Sequence, residues 1–268
     1  MFTPADHTFA ICAYMTSPYL RSCIESLLAQ DGGASAFIAT ATPNDHIAEL
    51  ANEYRLPLLV RDGAPGIGVD WNFALTSADK PLVTIAHQDD WYHPDYLAEM
   101  LAKVNQASNP LLYFTNYSEL RNGVFVEENR LLSVKRRMLK PLENPDRWRS
   151  RRVRRRALSL GSPICCPSVT LVKAKTDPGI FLSDLQSNLD WEAWADLADQ
   201  PGDFIYNPRI LMAHRIHEES ETTRLIENDG RTQEDLAMFR RFWPSPIAKA
   251  INLLYAQGLK SNGQPGSQ

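Results

Sequence analysis

The chain has 268 residues, enough for one sizeable hydrophobic core with a small appendage. Its 44% hydrophobic and 22% charged content is that of an ordinary globular protein, and no apolar run approaches the roughly 18–20 residues of a membrane span. The net charge of −4 hides an asymmetry: residues 135–156 hold eleven Lys/Arg against Glu143 and Asp146, a local +9 within a body of −13. An acidic body with one basic belt predicts a local anionic partner, an anionic membrane surface being the preferred one. Without a recognition module, nucleic acid is not the expected partner.

The opening residues MFTPADHTFA show neither a basic stretch nor an apolar core of a secretory signal, so the expected location is the cytoplasm, with peripheral attachment to the inner face of the plasma membrane through the belt. Cys12, Cys23, Cys165 and Cys166 make no CxxC pair and read as reduced, mostly buried thiols. The first half alternates strand and helix, as in α/β proteins. Strands are predicted at 8–14, 36–41, 56–61 and 82–87, and helices at 17–30, 43–54, 70–77 and 94–105. Ser17 serves as N-cap and Pro18 as first residue of the first helix. A strand at 111–120 turns at Arg121-Asn122-Gly123 and returns at 124–128. The basic segment, about 133–160, reads as a partly helical insert, followed by a strand at 167–172 and an amphipathic helix at 189–198. An extended stretch at 203–215 and two helices within 224–260 close the chain, and the polar, Gly/Pro-rich residues 261–268 read as a disordered tail.

The most informative stretch is His87-Gln88-Asp89-Asp90, directly after the apolar run Leu82–Ala86. It puts two carboxylates at the C-terminal edge of a sheet, where ligands bind in open α/β folds. Hard oxygen ligands there suit Mg²⁺ or Mn²⁺ gripping a diphosphate. Adjacent acids otherwise repel unless one caps a helix and the other stays solvated. His87 can ligate a metal, bond a phosphate or simply finish the strand. Ala13-Tyr14, Thr40-Ala41-Thr42 and the loop leading to Asn72 end at the same edge, where small residues let a nucleotide approach the backbone. Downstream, Asp190 starts a helix beside Trp191 and serves either as a cap or as a general base in a partly dry cleft. In an extended chain Arg215 and His217 share a face, which pairs two donors suited to a diphosphate; a plain polar loop is the other reading.

Five segments occur in an order that resembles the family 2 glycosyltransferases, inverting enzymes of the GT-A fold. They are FAICAYMTSPYLRSCIESLLAQ, HQDDWYHPDYL, CCPSVTLVK, LDWEAW and HRIHEES, spread over about residues 8–223. The resemblance implies an α/β, Rossmann-like fold with a mixed central sheet flanked by helices and a C-terminal helical extension beyond residue 223. It implies that Asp89, with Asp90 beside it, holds Mn²⁺ or Mg²⁺ on a nucleotide-diphosphate sugar. Tyr14 would flank the base, Asn72 the ribose or diphosphate, and Ala13, Thr40, Thr42, His87 and Gln88 would line the rest of the donor site. Asp190 would deprotonate the acceptor, a glycan or lipid-linked glycan of surface polysaccharide assembly, while Arg215 and His217 stabilise the leaving diphosphate. The sequence departs from the family pattern at three places. Thr40-Ala41-Thr42 stands where the family has an acidic pair, Trp71-Asn72 where it has Arg-Asn, and His87 where it has the first acid of its metal motif. A nucleotidyltransferase and a catalytically inactive sugar-nucleotide-binding module are the alternatives.

Overall fold

The computed structural model describes residues 1–217 and 230–262. Its spine is one mixed sheet in the order β3-β2-β1-β4-β8-β6-β9-β5, with β7 paired to β6. The strands are β1 (His7–Ala13), β2 (Ala36–Thr40), β3 (Leu58–Val60), β4 (Leu82–His87), β5 (Trp91–Tyr92), β6 (Pro110–Arg121), β7 (Val124–Val126), β8 (Val169–Val172) and β9 (Asp203–Ile216). Strands β1 to β4 pair in parallel, β8 runs antiparallel to both β4 and β6, and β9 runs parallel to β6. Two reversals restore direction, so β1, β2, β4, β6 and β9 all end on the same edge. That edge receives Asp89, Asp90, Arg215 and His217 from segments more than a hundred residues apart.

The helices are α1 (Leu20–Leu28), α2 (Asp45–Glu53), α3 (Ile67–Ser77), α4 (Tyr96–Val104), α5 (Arg130–Leu139), α6 (Arg151–Leu158), α7 (Leu189–Asp199), α8 (Gly230–Arg240) and α9 (Ser245–Asn262). In α1, Leu20, Cys23, Ile24 and Leu27 are buried at a spacing that makes one apolar stripe. Strands β1 and β4 are buried along almost their whole length, as expected of parallel strands covered on both faces. The predicted turn after β6 is a two-residue hairpin: Asn122 and Gly123 have φ of 49° and 81°, the left-handed pair such a hairpin needs.

Several boundaries differ from expectation. Helix α1 starts three residues late, because Ser17 is buried and its Oγ accepts from the Tyr19 amide in a turn before the helix. Asp95 caps α4 rather than lying inside it. Trp91-Tyr92, part of no predicted element, is a short strand on β9. The basic segment forms two separate helices, α5 and α6, joined by 3₁₀ turns. Ser261 and Asn262, assigned to a tail, end α9, while 263–268 lie outside the described residues, as do Glu218, Glu219 and Ser220 of the closing motif.

Candidate active site

Asp89 and Asp90, adjacent in sequence, face different ways. Asp89 is partly exposed at the sheet edge, and its Oδ2 lies 3.0 Å from His217 Nε2. Burial pushes its carboxyl pKa up, but the His217 bond and then the nearby His214 more than offset this, so Asp89 is held below the usual carboxylate range. Asp90 is 0% exposed. Its Oδ1 accepts from His214 Nδ1 at 3.0 Å and from the Arg215 backbone amide at 2.9 Å. Asp90, expected beside Asp89 as a second metal ligand, uses its Oδ1 to fasten β9 to the end of β4. His214 is correspondingly held protonated more readily than an ordinary imidazole, because Asp90 and Asp89 outweigh its burial. Asp90 Oδ2 is buried without a partner, 3.9 Å from His87 Nδ1.

Arg215 donates from Nε to the Asp89 carbonyl at 2.7 Å, and its guanidinium lies 4.3 Å from the centre of the Tyr19 ring. The same ring sits 5.0 Å from His217. Tyr19 therefore sets the position of both donors at the end of β9, a role with no signal in the sequence beyond an aromatic residue at a helix start.

The expected donor-site residues divide. Tyr14 is 43% exposed, and its backbone N and O are both bonded to the Gln88 side-chain amide at 3.0 Å. Gln88 thus clamps the end of β1 to the end of β4 and leaves the Tyr14 ring outside. Ala13 and Thr40 are buried. Thr40 Oγ1 accepts from the Thr42 amide, and Thr42 Oγ1 accepts from the Met15 amide at 2.6 Å. Thr42 thus holds the backbone of the loop after β1, and Thr40 that of the loop after β2. Asn72, expected by the ribose or diphosphate, is buried, and its Oδ1 accepts from the Phe181 amide at 3.1 Å. His87 ends β4 under Trp71, the rings stacked 4.9 Å apart at 18°. Two of the departures from the family pattern are therefore in contact, as an aromatic stack. Burial lowers the His87 pKa, partly offset by Asp90 and Asp89, which keeps the ring neutral.

Asp190 lies in the first turn of α7, half-buried, with Oδ1 accepting from the Trp191 amide at 2.7 Å. The Cys165 thiol is pushed up by burial and then by the charge of Asp90, offset by Lys135, and by that of Asp190. The loop that delivers Asp190 is pinned from two sides. A Cβ on Gly68 of α3 would lie 2.2 Å from the Phe181 carbonyl, and Glu234 of α8 accepts from the Gln186 and Ser187 amides at 2.8 Å. The C-terminal helices are thus braces of the site.

Among the described residues no group of three or more His, Cys, Asp or Glu side chains forms a metal cage. The Asp89 carboxylate and His217 imidazole, side by side, nevertheless fit a divalent ion that takes its other ligands from phosphate and water, the usual habit of Mg²⁺.

A mixed sheet whose strands end together on acids, with an acid-bearing helix across the edge, defines the GT-A class of nucleotide-sugar transferase folds. The chain belongs to glycosyl transferase family 2, whose family model matches residues 8–172. It is 26% identical over 129 residues to the Bacillus subtilis (strain 168) protein EpsH, which carries a provisional glycosyltransferase name. That match covers 44% of this chain and 35% of EpsH, so it spans about a third of the relative. Among solved structures, the mannosyltransferase PcManGT from Pyrobaculum calidifontis, in complex with GDP-Man and Mn²⁺, superposes with a TM-score of 0.58 at 14% identity, covering 94% of this chain and 69% of that one. Glucosyl-3-phosphoglycerate synthase from Mycobacterium tuberculosis, with Mn²⁺, UDP-Glc and phosphoglyceric acid, gives 0.59 at 14% identity, covering 87% and 79%. S. aureus TarS 1-349 with UDP-GlcNAc gives 0.57 at 14% identity, covering 92% and 70%. At these identities the likeness speaks for the fold alone.

Proposed function

We propose that this protein transfers one sugar from a nucleotide-diphosphate donor to a hydroxyl acceptor, with inversion at the anomeric carbon. The observation that carries the reading is the joining of Asp89, Arg215 and His217 at one sheet edge. Asp89, with His217 beside it and Asp90 behind it, would hold Mn²⁺ or Mg²⁺. When bound, the ion neutralises charge on the diphosphate. Asp190 accepts the proton of the acceptor hydroxyl, which is inert at neutral pH without a base. The hydroxyl oxygen forms its bond to the anomeric carbon as the carbon–oxygen bond to the diphosphate breaks, and the leaving diphosphate keeps the electron pair. Arg215, fixed between Tyr19 and the Asp89 carbonyl, meets the charge that develops there without having to reorganise. Tyr14 offers its exposed ring to the base. Thr40, Thr42, Gln88 and Asn72 shape the donor site through the backbone they hold.

The acceptor is a glycan or lipid-linked glycan in surface polysaccharide assembly, and the enzyme works in the cytoplasm against the inner membrane face. No helix among the described residues is long and apolar enough to cross a membrane. The basic segment supports the membrane address. Of its eleven cations, Arg137, Lys140, Arg147, Arg152 and Arg156 make no ion pair or side-chain hydrogen bond among the described residues. A thermal-shift panel of sugar nucleotides with and without Mn²⁺ tests the donor. The right one at a hundred times its Kd stabilises the fold by about 2.7 kcal/mol. No shift and no turnover with any donor would overturn the reading, and a shift without turnover would make this an inactive binding module.

A further inference from the structure

Helix α9 is apolar on two sides. Its inner side buries Ala248 and Asn252 and sets Tyr255 against Gly161 and, at 5.5 Å between ring centres, Phe239. Its outer side carries Ile247, Ala250, Leu253 and Leu254, one continuous arc on the opposite side of the helical wheel. Leu253 and Leu254 are 68% and 70% exposed. A surface helix normally turns a polar face outward, so an apolar outer arc needs a covering.

Cations stand on α9 itself, at Lys249, and on the neighbouring α6. The turn Ser159–Gly161, which ends α6, touches both ends of the α9 region: Ser159 O accepts from Trp243 Nε1 at 2.7 Å, and Gly161 packs on Tyr255. The turn also carries exposed Leu160. On α6 the exposed Arg152 and Arg156 have no acidic partner among the described residues, and neither has Lys249 on α9. An open cleft of about 650 Å³ is lined by Arg151, Arg152, Arg155 and Arg241 with Asp199; Arg151 and Arg155 pair with Asp199 and Arg241 with Glu192 and Asp196, which leaves Arg152 as the cation of the cleft without an acidic partner among the described residues. Exposed leucines on one helix, with Lys249 beside them and the unpaired Arg152 and Arg156 on the neighbouring helix, have the chemistry of an interfacial surface.

We propose that the outer face of α9, with Leu160 and the arginines of α6, docks on an anionic lipid bilayer. Apolar side chains enter the acyl boundary, and the arginines and the cleft meet lipid phosphates. Helix α6 runs antiparallel to α7: Arg155 meets Asp199 at one end, and Leu158 O accepts from Trp191 Nε1 at the other. The Leu160 end of the surface is therefore the Asp190 end of α7. A bilayer there lies beside the proposed acceptor side, which extends the membrane address given above and moves it from the basic segment as a whole to one face.

The test is flotation of the full chain with phosphatidylcholine vesicles, with and without phosphatidylglycerol, at low and high salt. The wild type binds anionic vesicles at low salt and not neutral ones. Leu253→Ser/Leu254→Ser weakens binding roughly tenfold. Arg152→Gln/Arg156→Gln weakens it roughly fivefold per cation lost and flattens the salt dependence. Melting curves confirm that both variants are folded. No binding to anionic vesicles, or binding that neither variant changes, overturns the proposal. So does a dimer by sedimentation velocity that the leucine variant dissociates, which would make the covering a second copy. Asp190→Asn floats like the wild type, so vesicle binding without sugar transfer would sink the proposed function and leave the docking face standing.

Discussion

Asp90→Ala separates a brace from a metal ligand. The carboxylate is fully buried and accepts from His214 Nδ1 and the Arg215 amide. Removing it leaves two buried donors unpaired, at about 1–3 kcal/mol each, one of them an imidazole whose charge Asp90 favours. The total, about 2–6 kcal/mol, brackets that of breaking a buried charge pair. For a chain of this length that lowers Tm by roughly 10 °C. Asp90→Asn can keep both bonds through its amide oxygen, and should cost only about 1–2 kcal/mol while retaining most transfer activity. Asp89→Asn should do the reverse: nearly wild-type melting, with transfer reduced by at least about a hundredfold. Calorimetry on the three variants, with initial rates on the cognate donor, reads all of this. The brace assignment fails if Asp90→Ala melts within about 1 kcal/mol of wild type, or if Asp90→Asn folds normally yet abolishes transfer.

Other outcomes follow from the same geometry. Asp190→Asn should lower kcat by roughly a hundred- to ten-thousandfold while the donor's thermal shift persists; wild-type turnover in the purified variant would remove the base role. Gly68→Ala pushes a methyl into the Phe181 carbonyl, costing about 1–3 kcal/mol and shifting the loop that delivers Asp190. Its kcat should fall about a hundredfold, and unchanged kinetics would show that the loop does not depend on this contact. His7 is buried on Thr84 at 2.8 Å, and burial pushes its pKa down to about 3 from an ordinary 6.5. The unfolded chain therefore binds the proton first. This contribution is complete above pH 6.5 and is lost as pH falls toward 3, at about 1.4 kcal/mol per pH unit, or roughly 2 kcal/mol by pH 5. Urea melts of wild type and His7→Gln across that range should show a shallower acid loss in the variant, and parallel curves would refute the assignment.

Much of the fold is legible in the sequence because its signals are local. Alternation and apolar periodicity mark the first four strands and the helices between them, and β4 from Leu82 to His87 coincides with its prediction to the residue. The two-residue strand Trp91-Tyr92 has no such signal, since it is defined by its pairing with Met212 and Ala213 of β9. The start of α1 depended on where the Ser17 side chain bonds, which is a tertiary matter.

The site shows the same division. By itself the sequence determined that acids stand at the end of a buried strand, that Asp190 opens an aromatic helix and that Arg215 and His217 lie on one extended segment, because chain order and residue chemistry suffice for these. Only the tertiary structure decided which acid is available. Asp89 and Asp90 are neighbours in the chain and chemically alike, but successive side chains point apart, and β9 returning to the same edge captured Asp90 for its own hydrogen bonds. The tertiary structure likewise turned Asn72 inward onto Phe181, stacked Trp71 on His87, and placed Tyr19 under Arg215 and His217. Each of these depends on which atoms lie within about 3–5 Å across gaps of many residues, a distance that no spacing along the chain encodes.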